Sequence, residues 1–309
     1  SSSLRHPVDV SVGSSTASTA VPTIATFSPA SAKPGESVTI TGTNFNTTTT
    51  NNIVYFGAAK ATVTASTATS LTVNVPSGAT YAPITILNTS TSLLARSSKS
   101  FIPAYSPIKS SITTSNFDAR VDFATGSNPF SVAFGDIDGD GKIDVAVSNY
   151  ASSTISVFRN IATPGAISSS SLATRVDFAT GTNPNSISIA DVDNDGKLDV
   201  LTANANNTVS VHRNTATSGS ITSSSFASKV DFTAGSGAYF ATAGDINGDG
   251  KPEIIVANYG GASVSVLQNA STSGTITSSS FASKVDFTVG SNPYYLALAD
   301  LDGDGRLDI

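Results

Sequence analysis

Hydrophobic and polar positions alternate with period two along most of this chain, in short runs broken by Gly, Pro, Asn and Ser. That pattern predicts β-strands throughout and no long helix. Between Pro22 and Pro103 the runs fall at 37–41, 52–56, 61–64, 70–75 and 82–87, separated by tight turns, as in a small β-sandwich. A Ser/Thr-rich connection at 104–118 follows, and then a unit recurs to the end of the sequence. Its first copy runs through 120–125, 129–134, an acidic loop, 144–147 and 154–158. Four short strands per repeat at this period predict propeller blades, with the polar stretches 168–172 and 223–227 as inter-blade connections. The fold class expected is all-β, a sandwich joined to a partial β-propeller.

The repeat is marked by four acidic loops, each directly after an apolar strand. They begin at Asp136, Asp191, Asp245 and Asp300, so successive loops are 55, 54 and 55 residues apart. Loop positions 1, 3, 5 and 9 are Asp136, Asp138, Asp140 and Asp144 in the first loop, and Asp191, Asp193, Asp195 and Asp199 in the second. They are Asp245, Asn247, Asp249 and Glu253 in the third, and Asp300, Asp302, Asp304 and Asp308 in the fourth. Oxygen side chains at 1, 3 and 5 of a tight turn converge on one point, Gly at 6 permits the reversal, and the carboxylate at 9 closes the cage. Such a site suits a hard cation, Ca²⁺ above all, and four loops give up to four ions. Position 7, which is Lys142, Lys197, Lys251 or Arg306, is expected to contribute through its backbone carbonyl only. An EF-hand is excluded, because position 12 is Val147, Thr202 or Val256 rather than Glu and the flanks read as strands.

Composition refines this picture. Fifteen of the 22 acidic residues stand in these loops, so the net charge of -6 is a local property of the sites. Four divalent ions would bring it to about +2. Residues 22–103 carry only Lys33, Lys60, Arg96 and Lys99 as basic groups, too few for phosphate contacts, and no nucleic-acid partner is expected. No apolar run is long enough for a transmembrane segment. Cysteine is absent, which excludes disulfides, thiolate sites and cysteine nucleophiles. Methionine is absent too, and a chain with little to oxidise fits residence outside the cell.

Residues 22–103 resemble the IPT/TIG family of immunoglobulin-like domains through Phe27-Ser-Pro29, Gly35 before 38–40, Gly42-Thr-Asn-Phe45, Val54-Tyr-Phe-Gly57, Val75-Pro76 and the closing 83–86. The resemblance implies a spacer that positions its neighbours. Residues 119–309 resemble the FG-GAP or VCBS-like repeats of integrin-type propellers, through the four loops, the apolar strand before each and the strand pairs after them. It implies calcium in the loops. The Gly-Ala-Pro tripeptide is missing, and the third loop departs with Asn247 and Pro252-Glu253. The domains expected are an N-terminal strand and linker at 1–21, the Ig-like domain at 22–103, a linker at 104–118 and the repeats at 119–309. The repeats comprise three complete units and a truncated fourth, an arc that more chain or another copy would complete.

Smaller signals have plainer readings. The Val-Asp-Phe motif at Asp122, Asp177, Asp231 and Asp286 has a basic residue two positions earlier, which predicts a charge pair on one strand face. His6 and His212 are expected at the surface. Tyr239-Phe240 and Tyr294-Tyr295 pack in the core by default and offer rings to a ligand otherwise. No catalytic motif is present, and the paired acids serve better as cation ligands. The expectation is a non-catalytic, secreted or cell-surface, calcium-stabilised adhesion or structural protein whose partner is a protein or carbohydrate surface. The alternatives are a protomer of an extracellular filament, which pairs with other copies of itself through residues 8–14, and an accessory module of a secreted polysaccharide-degrading enzyme.

Overall fold

The computed structural model describes residues 21–105, 114, 117–301 and 306–309. The strand expected at 8–14, His6, much of the 104–118 connection, and Asp302 and Asp304 lie outside them. No helix among the described residues is long and apolar enough to cross a membrane.

The sandwich follows from the alternation. In β3 (Ser37–Thr43), β4 (Asn52–Phe56), β6 (Ser70–Asn74) and β7 (Ala82–Asn88), Val38, Ile40, Val54, Phe56, Leu71, Val73, Ile84 and Ile86 point inward and are buried. They form one cluster with Phe101, whose ring meets Phe56 edge-on at 4.8 Å. β5 (Ala59–Ser66) links the two layers: Ala59–Ala61 pairs with β4, and from Thr62 it pairs with β6, with a register shift between Val63 and Ala65. With β1 (Thr23–Ser28), β2 (Ser31–Ala32) and β8 (Leu93–Pro103), the strand order is β1-β3-β6-β5-β4-β7-β8-β2. The hydropathy pattern missed β8 because Arg96, Ser97, Ser98 and Lys99 interrupt it, although backbone pairing with β7 holds it in the sheet.

The repeats form three antiparallel four-stranded sheets. The first blade holds β9 (Pro129–Gly135), β10 (Asp144–Asn149), β11 (Thr154–Phe158) and β12 (Val176–Ala179). The second holds β13 (Pro184–Ala190), β14 (Asp199–Asn204), β15 (Thr208–His212) and β16 (Val230–Thr233). The third holds β17 (Ala238–Gly244), β18 (Glu253–Asn258), β19 (Ser263–Leu267) and β20 (Val285–Thr288). The inner strands β9, β13 and β17 lie side by side. Ile137, Ala146, Ile155 and Val157 pack against Ile187 and Val200 between the first two blades, and Leu201, Ala203 and Val211 pack against Ala241, Ile254 and Val256 between the next two. Leu296 of the fourth unit covers Ile255 and Ala257. On the other flank of the arc, Val132 and Phe134 of β9 are 51% and 56% exposed.

Two expectations are corrected. The Val-Asp-Phe segment does not open its own blade: as β12, β16 and β20 it closes the preceding one, while the first copy, 121–123, has no blade before it among the described residues and is not a strand. The charge pairs hold, with Arg175 on Asp177 at 3.0 Å and Lys229 and Lys284 on Asp231 and Asp286. His212 is not at the surface. It is 2% exposed, its Nε2 shares a hydrogen bond with Thr180 Oγ1 at 3.2 Å, and burial lowers its pKa to about 4.

Candidate metal centres

Each of the first three acidic loops connects the inner strand of a blade to the second strand, and its own side chains hold its shape. In the first loop, Asp136 accepts the Gly141 amide at 3.1 Å, Asp138 the Asp140 amide at 3.1 Å, and Asp140 the Lys142 amide at 2.9 Å. Asp144 reaches back to the Ile137 amide at 3.0 Å and forward to that of Asn160 at 2.8 Å. The second loop repeats this set with Asp191 on Gly196, Asp193 on Asp195, Asp195 on Lys197, and Asp199 on Val192 and Asn214. Gly141 and Gly196 take φ of 87° and 88°, the left-handed region that the reversal needs.

The loops concentrate charge where water is scarce. Burial raises Asp136 to about 6, Asp144 to about 7 and Asp191 to about 8, the last with help from the Asp195 charge, and Asp199 rises well above the usual range. Oxygens of Asp136, Asp138 and Asp144 lie within 4.8 Å of one another, as do those of Asp191, Asp193 and Asp195. Asp136 Oδ1 and Asp193 Oδ2 are buried and have no hydrogen-bond partner in the protein. Orphaned carboxylate oxygens inside a carboxylate cluster are what a hard cation would satisfy, so the first two loops fit Ca²⁺.

The third loop is different. Asn247 Nδ2 donates to Asp249 at 3.3 Å and to Glu253 at 3.2 Å, so its amide occupies oxygens of the would-be ligands from within. Glu253 is raised to about 7 by burial. In the fourth, the described residues show Asp308 Oδ2 accepting the Leu301 amide at 2.8 Å and a bridge between Ala299 and Asp308. The side chains of Lys142, Lys197 and Lys251 do not enter the loops. They donate to the carbonyls of Ala162, Ala216 and Ser271, which leaves only their backbone for a ligand.

Two features escaped the sequence reading. Asn214 and Asn269 each join their own blade to the previous loop: Asn214 Nδ2 donates to Ile137 O at 2.7 Å and Leu198 O at 2.8 Å, and Asn269 Nδ2 to Val192 O at 2.8 Å and Pro252 O at 2.7 Å. The signal was an Asn-X-Ala/Ser step recurring after the third strand. The second feature is the sandwich itself, which lies across the loops. Asp136 donates its amide to Ala58 O at 3.2 Å, Tyr55 Oη donates to Gly196 O at 3.2 Å, and Leu94 donates its amide to Gly250 O at 3.1 Å. Asn194 Nδ2 ties Ser92 O to Gly250 O, both at 2.7 Å. Tyr55, Lys60, Asp136 and Asp138 line one cleft along this contact, and Ser92, Asp193, Asn194 and Lys251 line another.

At the opposite end of the inner strands the rings gather. Phe130 contacts Tyr150 and Tyr239, and Tyr239 and Tyr259 contact Tyr294, with centroids 4.6–6.1 Å apart. Phe130 and Tyr294 are about half exposed, so the core accounts for only part of this cluster.

An immunoglobulin-like sandwich set on the loop face of acidic-loop propeller blades defines the architecture, and the comparisons agree. The FG-GAP-like repeat matches at 136–202, 191–256 and 245–309, and the IPT/TIG domain at 22–101. The chain belongs to the FG-GAP-like repeat family and carries an IPT/TIG domain before the repeats. A search of the curated proteins found no match. Among solved structures, a proposed phosphatase from Bacteroides thetaiotaomicron VPI-5482 shares 17% identity at a TM-score of 0.28, over 80% of this chain and 55% of its own. An auxiliary nutrient binding protein from the same organism shares 9% at 0.29, over 93% and 74%. A functionally unknown protein from Desulfotomaculum acetoxidans DSM 771 shares 14% at 0.34, over 82% and 86%. The chain thus spans about half the length of the first of these, and overlaps this loose carry no argument about function.

Proposed function

We propose that this chain is a non-catalytic adhesion or scaffold module, secreted or displayed at a cell surface, in which calcium in the repeat loops locks the blades and the Ig-like domain into one body. The observation that carries this reading is the position of the first three loops: they lie under the sandwich, and two carboxylate oxygens, Asp136 Oδ1 and Asp193 Oδ2, are buried without a hydrogen-bond partner. A catalytic ion needs an open coordination position for substrate, whereas an ion enclosed by a neighbouring domain serves structure. When bound, Ca²⁺ supplies the positive charge that the clustered carboxylates lack. Asp136, Asp138, Asp140 and Asp144, and Asp191, Asp193, Asp195 and Asp199, would hold it, with the carbonyls of Lys142 and Lys197. In the third and fourth loops the corresponding ligands are Asp245, Asn247, Asp249 and Glu253, and Asp300, Asp302, Asp304 and Asp308, with the carbonyls of Lys251 and Arg306.

The ligand-facing surface in this reading is the ring-bearing end remote from the loops. Segments 126–131, 149–154, 203–208, 235–240, 258–263 and 290–295 contain no charged residue, a composition suited to a neutral carbohydrate. Scanning calorimetry in calcium and in chelator tests the scaffold role. Calcium at a hundredfold excess over its dissociation constant adds about 2.7 kcal/mol per site, so chelation should lower the melting of 119–309 markedly and free the sandwich to melt separately. Identical melting in both conditions rejects the reading.

A further inference from the structure

The first two loops have nearly the same sequence and backbone hydrogen bonds, yet one carboxylate oxygen is treated in opposite ways. In the first loop, Asp138 Oδ2 accepts Arg159 Nε at 2.6 Å, and the same guanidinium donates to Asp140 Oδ2 at 2.8 Å. The Asp138 side chain is 0% exposed and that of Arg159 28%, so the pair is screened on one side only. In the second loop the equivalent atom, Asp193 Oδ2, is buried with no hydrogen-bond partner, and the matching Arg213 reaches only a long ion pair to Asp195 at 3.9 Å, its charge acting on Asp193 and Asp195 without a hydrogen bond. In the third loop the position belongs to Gln268, which is exposed, and the acid it would face at loop position 3 is Asn247.

We infer that Arg159 is a tethered cation that occupies part of the first loop's charge and weakens its hold on calcium, leaving the second loop as the tight site. This rests on the calcium reading above. The chemistry is competitive. A planar guanidinium making two charge-assisted hydrogen bonds draws negative charge from Asp138 and Asp140, the groups that must face the ion, and adds a like charge next to it. If Asp138 binds the ion through Oδ1 and keeps Arg159 on Oδ2, the donor is still a weaker one. Arg159 also orders these carboxylates, which would favour binding, but amides already do so: Asp138 is held by Asp140 N and Asp140 by Lys142 N. Preorganisation therefore survives the loss of the arginine while the repulsion disappears.

The test uses the full chain labelled with ¹⁵N-glycine. Gly141, Gly196 and Gly250 each donate the amide to the first aspartate of their own loop, at 3.1, 2.8 and 2.9 Å, so their resonances report the three sites separately during a calcium titration. In the native chain Gly196 should respond at the lowest calcium concentration. In Arg159→Gln the midpoint for Gly141 should fall about tenfold, the worth of a lost charged hydrogen bond, while that of Gly196 stays put. Arg159→Lys, which keeps the charge without the fork, should give an intermediate value. A Gly141 midpoint in Arg159→Gln that is unchanged or higher overturns the inference. Should that variant fail to fold, Gln268→Arg at an exposed position decides: a raised Gly250 midpoint supports the tethered-cation account, and an unchanged or lowered one overturns it. If none of the three resonances responds to calcium in the native chain, the calcium reading itself is overturned, and this inference with it.

Discussion

The Tyr55 hydroxyl of the sandwich donates a hydrogen bond to the Gly196 carbonyl of the second loop at 3.2 Å, across a contact that joins residues 141 positions apart. Burial, and then the carboxylates of Asp191 and Asp136, push the Tyr55 phenol far above its ordinary range, which keeps it a donor. Tyr55→Phe removes the hydrogen bond but not the ring, and should cost about 1 kcal/mol. Urea unfolding of the variant should show the loss in the transition that separates sandwich from blades. A loss confined to unfolding of the sandwich would place the role of Tyr55 elsewhere.

Gly196 is needed for space as well as for its backbone. At φ of 88°, a Cβ there would lie 2.1 Å from Ile53 Cδ1, whereas Gly139, at φ of 69°, has nothing within 4 Å. Gly139→Ala should therefore cost only the left-handed penalty, about 1–2 kcal/mol. Gly196→Ala should cost more, and Ile53→Ala in the same chain should recover the excess. Denaturation midpoints of the two single variants and the double one measure this coupling.

Asn214 and Asn160 occupy the same position in successive blades but carry different loads. Asn214 Nδ2 satisfies Ile137 O and Leu198 O, while Asn160 Nδ2 satisfies Ile143 O at 2.9 Å. Asn214→Ala strands two buried carbonyls and should destabilise by about 3 kcal/mol, and Asn160→Ala by about half as much. Thermal melts in calcium should rank them in that order.

Without metal, the blades should be less stable at higher pH. Burial holds Asp144 and Glu253 at about 7 and Asp191 at about 8, so between about pH 4 and pH 8 the folded chain binds protons that the unfolded chain, with ordinary carboxyls near 4, has released. Stability then falls as pH rises through that window. Saturating calcium should reverse the trend, because the ligands must ionise to bind it. Melting temperatures across this range in chelator and in calcium give the two slopes, and parallel slopes would disprove the linkage.

The third loop should be a weaker site than the second. Asn247 replaces a carboxylate and its amide donates to Glu253 and Asp249. In saturating calcium, Asp245→Ala should lower the melting temperature less than Asp191→Ala does. The opposite order would show that Asn247 does not weaken the site.

Much of this was legible in the residues. Alternation placed Val38, Ile40, Val54 and Phe56 inside the sandwich, and the acid spacing brought Asp136, Asp138 and Asp144 together in the first loop and Asp191, Asp193 and Asp195 in the second, because strand pleat and tight-turn geometry are set by neighbours along the chain. Other features were invisible for an equally physical reason. Tyr55 and Leu87 are apolar on the outer face of the sandwich, which announces a cover but not its identity, and the loops that provide it lie more than 100 residues away in sequence. His212 carries no mark of burial in its own segment, and its burial comes from outside its strand, where Phe226 of the β15–β16 connection and Thr180 just after β12 receive it. The sequence by itself determined most strands, the blade period and the acid clusters of the first two loops, all of which depend on contacts local along the chain. Only the tertiary structure decided which strand closes which blade, that the sandwich rests on the first three loops, and that Arg159 binds Asp138 in one loop while Asp193 Oδ2 in the next has no hydrogen-bond partner, since a long-range contact depends on where two distant segments are brought together.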